Sequence, residues 1–175
     1  MNETLNTIFN RRSFRKYSDR KIDKKTIDLL IKAGLSAPSN VNKMTWEFII
    51  IDDKKILEKI ATVTLYGKMT KDAPIAIVVC GNLDRALPGE GADFWVQDCS
   101  AATENILLAA HSLGLGAVWT GVYPTVDRIR NVSKAIGNVP LNIIPLALIP
   151  IGYPIDEEIL SEKQLPTDRV HYNGF

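Results

Sequence analysis

The sequence predicts an α+β sandwich in which helices cover both faces of a small sheet, and three observations carry that prediction. The run Asp93 to Leu113 (DFWVQDCSAATENILLAAHSL) places Val96, Cys99, Ala102, Ile106, Ala110 and Leu113 at helical spacing. Ala101, Leu108 and Ala109 make its other faces apolar too, so it reads as a buried central helix. Ala73 to Cys80 (APIAIVVC) is a continuous apolar run of strand length, as expected of a mid-sheet strand buried on both faces. Finally, helical and strand patterns intermix without strict βαβ alternation. The chain has 175 residues and no low-complexity linker, which fits a single domain over residues 1–175 that buries a core without metals or disulfides.

The elements follow in order. Leu5, Ile8 and Phe9 define a short first helix over Glu3 to Asn10, which delivers Arg11, Arg12 and Ser13 at or just past its end. Asp23 caps a second helix with Ile27, Leu30 and Ile31 on its inward stripe, ending near Gly34 and broken by Pro38. Ser39, Asn40 and Asn42 form a polar loop. Trp46 to Ile51 is a strand, Asp52 and Asp53 a turn, and Ile56, Leu57 and Ile60 the core face of a third helix. Gly81 to Gly91 holds three glycines and a proline, too many breakers for regular structure, and is the expected mobile loop over a site. Asp93 is the expected N-cap of the central helix, and Gly114 its left-handed stop. A strand over Ala117 to Thr120 follows. Val126, Ile129, Val132 and Ile136 give an amphipathic helix closed by Gly137, and Ile143 to Ile151 a strand whose prolines imply bends or an edge. The tail from Ile155 to Phe175 lacks a clear period, yet carries Leu165, Val170, Tyr172 and Phe175, as expected of a segment that embraces a partner subunit.

Bulk charge excludes several functions. Lys plus Arg number 21 against 20 Asp plus Glu, so there is no general case for nucleic acid or an anionic membrane. The basic residues are uneven, however: Arg11 to Lys25 holds eight Lys or Arg and two acids. Few aromatics accompany them, which argues against a nucleic-acid surface. The two cysteines, neither in a CxxC pair, are those of a reduced cytoplasmic protein, and no stretch reads as a signal peptide or membrane span.

Familiar reactive motifs are missing. Gly114, Gly116 and Gly121 follow a helix and precede a strand, the reverse of the order that aims a helix N-terminus at a pyrophosphate. There is no GxxxxGK[ST], and His111 and His171 have no partner at metal-ligand spacing. With no activated nucleophile, an enzyme here borrows its reactivity from a cofactor. Arg11 and Arg12 suit a phosphate, Ser13 adds a hydroxyl, and Arg15 falls on the same side of an extended chain. Pro38, Ser39, Asn40 and Asn42 make a second polar patch, and Trp119, Thr120 and Gly121 a turn where backbone can approach a flat ring. Taken singly, Trp46 and Trp119 read as packing residues, and Asn40 and Asn42 as turn formers.

Four pieces, RRSFRKY at Arg11, APSNVNKMTWEF at Ala37, GLGAVWTG at Gly114 and IPIGYP at Ile149, together resemble the FMN-dependent nitroreductase family in its short form. The resemblance runs in order over nearly the whole chain. It implies an α/β/α sandwich around a mostly antiparallel mixed sheet, and a homodimer with FMN at the interface and the C-terminal tail on the partner. Arg11, Arg12 and Ser13 would bind the phosphate and ribityl chain, and Arg15 the pyrimidine edge, its charge favouring the anionic reduced ring. Pro38, Ser39, Asn40 and Asn42 would reach the flavin from the other subunit. Trp119, Thr120 and Gly121 would run beside the ring, with the Gly121 N–H on the nitrogen that takes the hydride. Lys163 and Gln164 sit where the family offers basic residues to the phosphate, and Gln164 departs from that charge. Met44 and Thr45 replace the family's usual Gln and Pro, a change expected in the packing beneath Trp46. The implied activity is ping-pong electron transfer from NADH or NADPH to nitroaromatics, quinones or similar small molecules, with no catalytic side chain. The alternatives are a relative that uses the same flavin site for a different reaction, such as dehalogenation, azoline oxidation or flavin breakdown, and a non-catalytic flavin-binding protein.

Overall fold

The computed structural model describes residues 2–155, 163 and 165–175. Its sheet has five strands: β1 (Trp46–Ile51), β2 (Ile75–Asn82), β3 (Gly116–Ala117), β4 (Thr120–Gly121) and β5 (Ile143–Gly152). β2 lies between β1 and β5, and β3 and β4 share the far side of β5. Every ladder is antiparallel; the parallel element is a single bridge from Ser13 to Ala117. The helices are α1 (Glu3–Asn10), α2 (Lys24–Leu35), α3 (Lys54–Val63), α4 (Phe94–Ser112) and α5 (Val126–Ile136).

Side chains along β2 alternate between two cores, as the period of two requires. Ile75, Ile77 and Val79 join Ile149 and Ile151 against Cys99, Ala102, Ile106 and Ala110 of α4, with Leu30 of α2 behind them. Ala76, Val78 and Cys80 pack on the opposite face against Leu57 and Ile60 of α3 and Val132 of α5. The predicted mid-sheet strand and buried helix are therefore one unit. From Trp95 to His111 only Gln97 is exposed. At its C-terminus Gly114 adopts φ +72°, and the N–H groups of Gly114 and Leu115 close on His111 O (3.0 Å) and Ala110 O (2.8 Å), a Schellman stop.

Local expectations needed correcting in four places. Asp93 makes no side-chain cap, because the 3-10 turn Gly89–Gly91 leads Ala92 and Asp93 into α4 with helical backbone, whereas a cap needs an extended one. The glycine-rich segment 81–91 is not structureless. Gly81 belongs to β2, where Trp95 covers it and leaves no room for a Cβ, and two 3-10 turns follow, anchored by Leu83 N–H on Asn142 O (2.9 Å). The single strand expected over residues 117–120 is instead β3 and β4, with Val118 and Trp119 outside both. Lastly, β5 is bent by its prolines but is no edge: Pro145 sits at a bulge opposite Cys80, and β5 is flanked on both sides.

Pro150 explains the split strand. Val122 N–H donates to Leu146 O (3.0 Å), so in the alternating antiparallel pattern the bonded pairs along this edge are Val122–Leu146, Thr120–Leu148 and Gly116–Gly152. The same register puts Val118 opposite Pro150, which has no N–H to give. The ladder lapses there. The Pro150 carbonyl instead lies 3.2 Å from the Tyr17 hydroxyl, which donates more closely to Phe14 O (2.6 Å), and Ser18 N–H reaches Tyr153 O (2.8 Å). Tyr17 is buried, and burial raises its phenol far above the usual tyrosine range against a smaller lowering by Arg15, so it stays a donor. Tyr17→Phe is expected to cost about 1–2 kcal/mol, because buried carbonyls lose their donor. The denaturation midpoint should fall at unchanged m-value.

Candidate functional site

The interrupted edge creates the site. Residues 117 and 121 fall between the bonded pairs, so their backbone groups point away from β5. The Ala117 carbonyl accepts Phe14 N–H (3.0 Å), which lays the segment after α1 along the outside of the sheet. The Gly121 carbonyl accepts Arg128 Nη1 (3.3 Å), while its N–H lies outside the β5 ladder. Gly121, Thr120 and Trp119 line a cavity of ≈ 460 Å³ together with Arg15, Leu65, Tyr66 and Lys68. A Cβ built at Gly121 would meet nothing within 4 Å, so this glycine leaves open space where Gly116 and Gly152 are covered by Phe14 and Tyr17. Trp119 is 37% exposed and forms part of the wall rather than the core. The structure thus brings together Arg15 and the Trp119–Gly121 turn, more than a hundred residues apart in sequence.

The other N-terminal cations gather in a second cluster. Arg11 Nε holds Glu104 Oε1 of α4 (3.1 Å), which orients the guanidinium and leaves its two terminal nitrogens for other acceptors. Arg12 turns back onto the carbonyls of Phe9 (3.0 Å) and Arg11 (3.2 Å) at the end of α1. Lys163 Nζ reaches Ile8 O (3.2 Å) and, with Arg12, Phe9 and Leu165, lines a cavity of ≈ 450 Å³. Partial burial, reinforced by Arg11, Lys163 and Arg12, holds His111 below the usual histidine range. Lys163 is likewise lowered, by desolvation and then by Arg11 and Arg12. Ser13 is held through its backbone bridge to Ala117. Gln164 lies outside the described residues.

The serine-asparagine loop does not join the arginines within one chain. It is fixed to the N-terminal half of α4 by Asp98, a buried carboxylate that accepts Asn40 N–H (2.7 Å) and the Thr45 hydroxyl (2.9 Å). Ser39 Oγ accepts Met44 N–H (2.9 Å), and Val41, Asn42 and Met44 all carry positive φ. Pro38 and Asn42 are exposed. Asp98 and Glu104 are six residues apart on α4, roughly 9 Å along the axis and about 120° around it, so the two patches occupy different faces. Thr45 consequently supplies a polar tie to Asp98, where sequence suggested only altered packing. The sequence offered one signal for Asp98, an acid inside an apolar helix, but none for its partners on the loop. Tyr66, Lys68 and Arg128 were missed as well, since each looks like an ordinary surface residue until the fold assembles.

Other chemistry is poorly served. Cys80 and Cys99 sit in opposite cores, with Cys99 Sγ on the Cys80 carbonyl (3.4 Å), and burial pushes both thiols up to about 12. No group of three or more His, Cys, Asp or Glu suited to a metal occurs among the described residues. No helix among them is long and apolar enough to cross a membrane.

Known proteins resemble this chain in sequence and in fold. The sequence profile described as the nitroreductase family matches residues 8–67 and 61–153. A Methanothermobacter thermautotrophicus protein provisionally named an NADH dehydrogenase/NAD(P)H nitroreductase is 47% identical over 97% of this chain and 86% of its own length. A crystal structure of a Parabacteroides distasonis protein with the same provisional name superposes at TM-score 0.93, with 46% identity and complete coverage of both chains. A provisionally named nitroreductase of Desulfovibrio desulfuricans, solved in complex with FMN, superposes at TM-score 0.84 with 30% identity, covering 100% of this chain and 99% of its own.

The His111 titration tests the cation cluster. Its depressed pKa means that the folded state favours the neutral ring, so its stabilising contribution is present above the unfolded value near 6.5 and is lost as pH falls. Binding of a phosphate-bearing ligand at Arg11 and Lys163 should raise the His111 pKa, followed by NMR, because the charges that depress it are then neutralised.

Proposed function

The chain belongs to the nitroreductase family, and on that premise we propose that its 175 residues act as one domain, an FMN-dependent NAD(P)H oxidoreductase that works as a cytoplasmic homodimer. The observation that carries the cofactor assignment is the Gly121 edge: a backbone N–H outside the ladder, an open space in front of the glycine, and Arg15 in the same cavity. These residues fit a flat, hydrogen-bonding ring. FMN bound there supplies the hydride chemistry that the protein's side chains lack. Arg15 places a fixed positive charge where negative charge accumulates on such a ring, and the Gly121 N–H offers a donor that needs no reorganisation. Arg11, Arg12, Ser13 and Lys163 hold the phosphate end, Arg11 being pre-oriented by Glu104. Trp119 and Thr120 form the wall beside the ring.

Dimerisation follows from what one chain leaves unfinished. Pro38, Ser39, Asn40 and Asn42 stand apart from the cavity, so they reach a ring only in a partner's site. Helix α1 buries none of its residues; Leu5, Ile8 and Phe9 are each more than 40% exposed, Leu165 shares a cavity with Ile8 and Phe9, and Val170, Tyr172 and Phe175 of the tail are exposed as well. A second copy covers such a surface. The electron acceptors that suit an open, aromatic-walled cavity are nitroaromatics, quinones and other conjugated electrophiles, which use it in turn with NADH or NADPH.

The purified protein should carry a flavin spectrum that is bleached anaerobically by NADH or NADPH, and should sediment as a dimer. A colourless protein without affinity for FMN, or a flavin that neither nucleotide reduces, would overturn the assignment. Arg11→Ala should weaken FMN binding by about tenfold, roughly one charge-assisted hydrogen bond. Arg15→Ala should retain FMN but make its midpoint potential more negative.

A further inference from the structure

We propose that Arg128 and Tyr66, at the mouth of the Gly121 cavity, receive the anionic group of the molecule that exchanges electrons there. The proposal rests on the functional reading above and adds a substrate class to it: partners bearing a carboxylate or phosphate.

Arg128 lies in the first turns of α5 and is held from two sides. One guanidinium nitrogen donates to the Gly121 carbonyl (3.3 Å), and its central carbon lies 5.5 Å from the centre of the Tyr66 ring. Gly121 and Tyr66 both line the cavity, so the guanidinium is clamped at its rim. Arginine has five N–H donors and this arrangement occupies one, leaving an edge suited to the two oxygens of a carboxylate or phosphate.

The electrostatics point the same way. Among the described residues, Arg15 and Lys68 line the cavity, no Asp or Glu does, and none of Arg15, Lys68 and Arg128 makes an ion pair. Arg130, one residue beyond Ile129 on the same helix, is by contrast paired with Asp127 (3.2 Å). Three positive charges around one concave surface concentrate anions. Arg15 lines the cavity and answers to the ring, whereas Arg128 meets only its rim, at the Gly121 carbonyl and Tyr66, which leaves it for a second molecule. The apolar and aromatic contribution of Leu65 and Tyr66, each 66% exposed, suits the conjugated body that carries such an anion.

Two sources share this chemistry, the phosphates of the nicotinamide dinucleotide and a carboxylate on the acceptor, and matched neutral analogues separate them. In the acceptor arm, 4-nitrobenzoate is compared with 4-nitrobenzamide. In the reductant arm, NADH and NADPH are compared with the neutral donor 1-benzyl-1,4-dihydronicotinamide, with 4-nitrobenzamide as acceptor. Arg128→Gln keeps a donor for Gly121 and removes the charge. It should lower the anion-to-neutral ratio of kcat/KM about tenfold in at least one arm, chiefly through KM, and the loss should shrink as ionic strength rises. Arg128→Lys should restore most of the ratio. A fall in the acceptor arm identifies the carboxylate, and a fall in the reductant arm the dinucleotide phosphate; an unchanged ratio in both arms overturns the proposal. Flavin content is read from the visible spectrum of each variant. If the wild-type protein holds no flavin, the functional reading has failed, and quenching of tryptophan fluorescence by the two nitro compounds then tests the anion site alone, equal affinities overturning it.

Discussion

The site depends on a donor that β5 does not have. Pro150 occupies a position where the neighbouring strand expects an N–H, so the edge made by residues 116–121 is stitched to β5 at both ends and loose in the middle. An uninterrupted edge strand would offer the same outward groups along its whole length, an open template for pairing. Here the break assigns them to different partners. Ala117 takes the segment that follows α1, which delivers Arg15, and Gly121 keeps its N–H for the cavity. Tyr17 secures the arrangement by setting its hydroxyl against Phe14 O, with the Pro150 carbonyl beside it, so the residue that breaks the ladder also anchors the chain that exploits the break.

A second constraint fixes the serine-asparagine loop. Val41, Asn42 and Met44 all hold positive φ, a conformation that β-branched valine resists and that persists only where the surroundings over-determine it. Asp98 provides that determination. Both of its oxygens are engaged, one by the loop's backbone and one by Thr45, and α4, to which it belongs, is the most completely buried helix among the described residues. Because α4 also carries Glu104, which orients Arg11, one rigid element sets both the arginine cluster and the serine-asparagine loop.

How much was legible in the sequence follows from the range of the forces involved. Trp46–Ile51 and the Asp23-capped α2 were readable because their period and caps are local, and Asp23 does accept Thr26 N–H (3.0 Å). The left-handed stop at Gly114 was readable for the same reason. Asp93 misled because its cap was pre-empted by the turn just before it. The division of residues 117–120 was invisible from that stretch alone, since its cause lies about thirty residues downstream at Pro150. Within the site, the arginine pair was legible as chemistry but not as geometry: Arg11 faces Glu104, whereas Arg12 folds back on α1. Arg128 carried no signal at all, because its meaning depends on Gly121 and Tyr66 arriving from separate elements.

The near-neutral total charge of the chain is therefore a poor guide to its electrostatics. Among the described residues, carboxylates are placed where they orient, Glu104 on Arg11 and Asp98 on the loop, and are missing from the wall that surrounds Gly121. Attraction for anions thus comes from local segregation rather than from net charge, and it acts over the cavity without making the whole surface adhesive. The division has a structural corollary. Arg15 is tied to the sheet through the Ala117 bridge and Tyr17, so altering its surroundings disturbs the fold, whereas Arg128 sits in the first turn of α5 and among the described residues meets an outward carbonyl and an exposed ring. Preference among partners can change at Arg128 while the elements that grip the cofactor stay as they are.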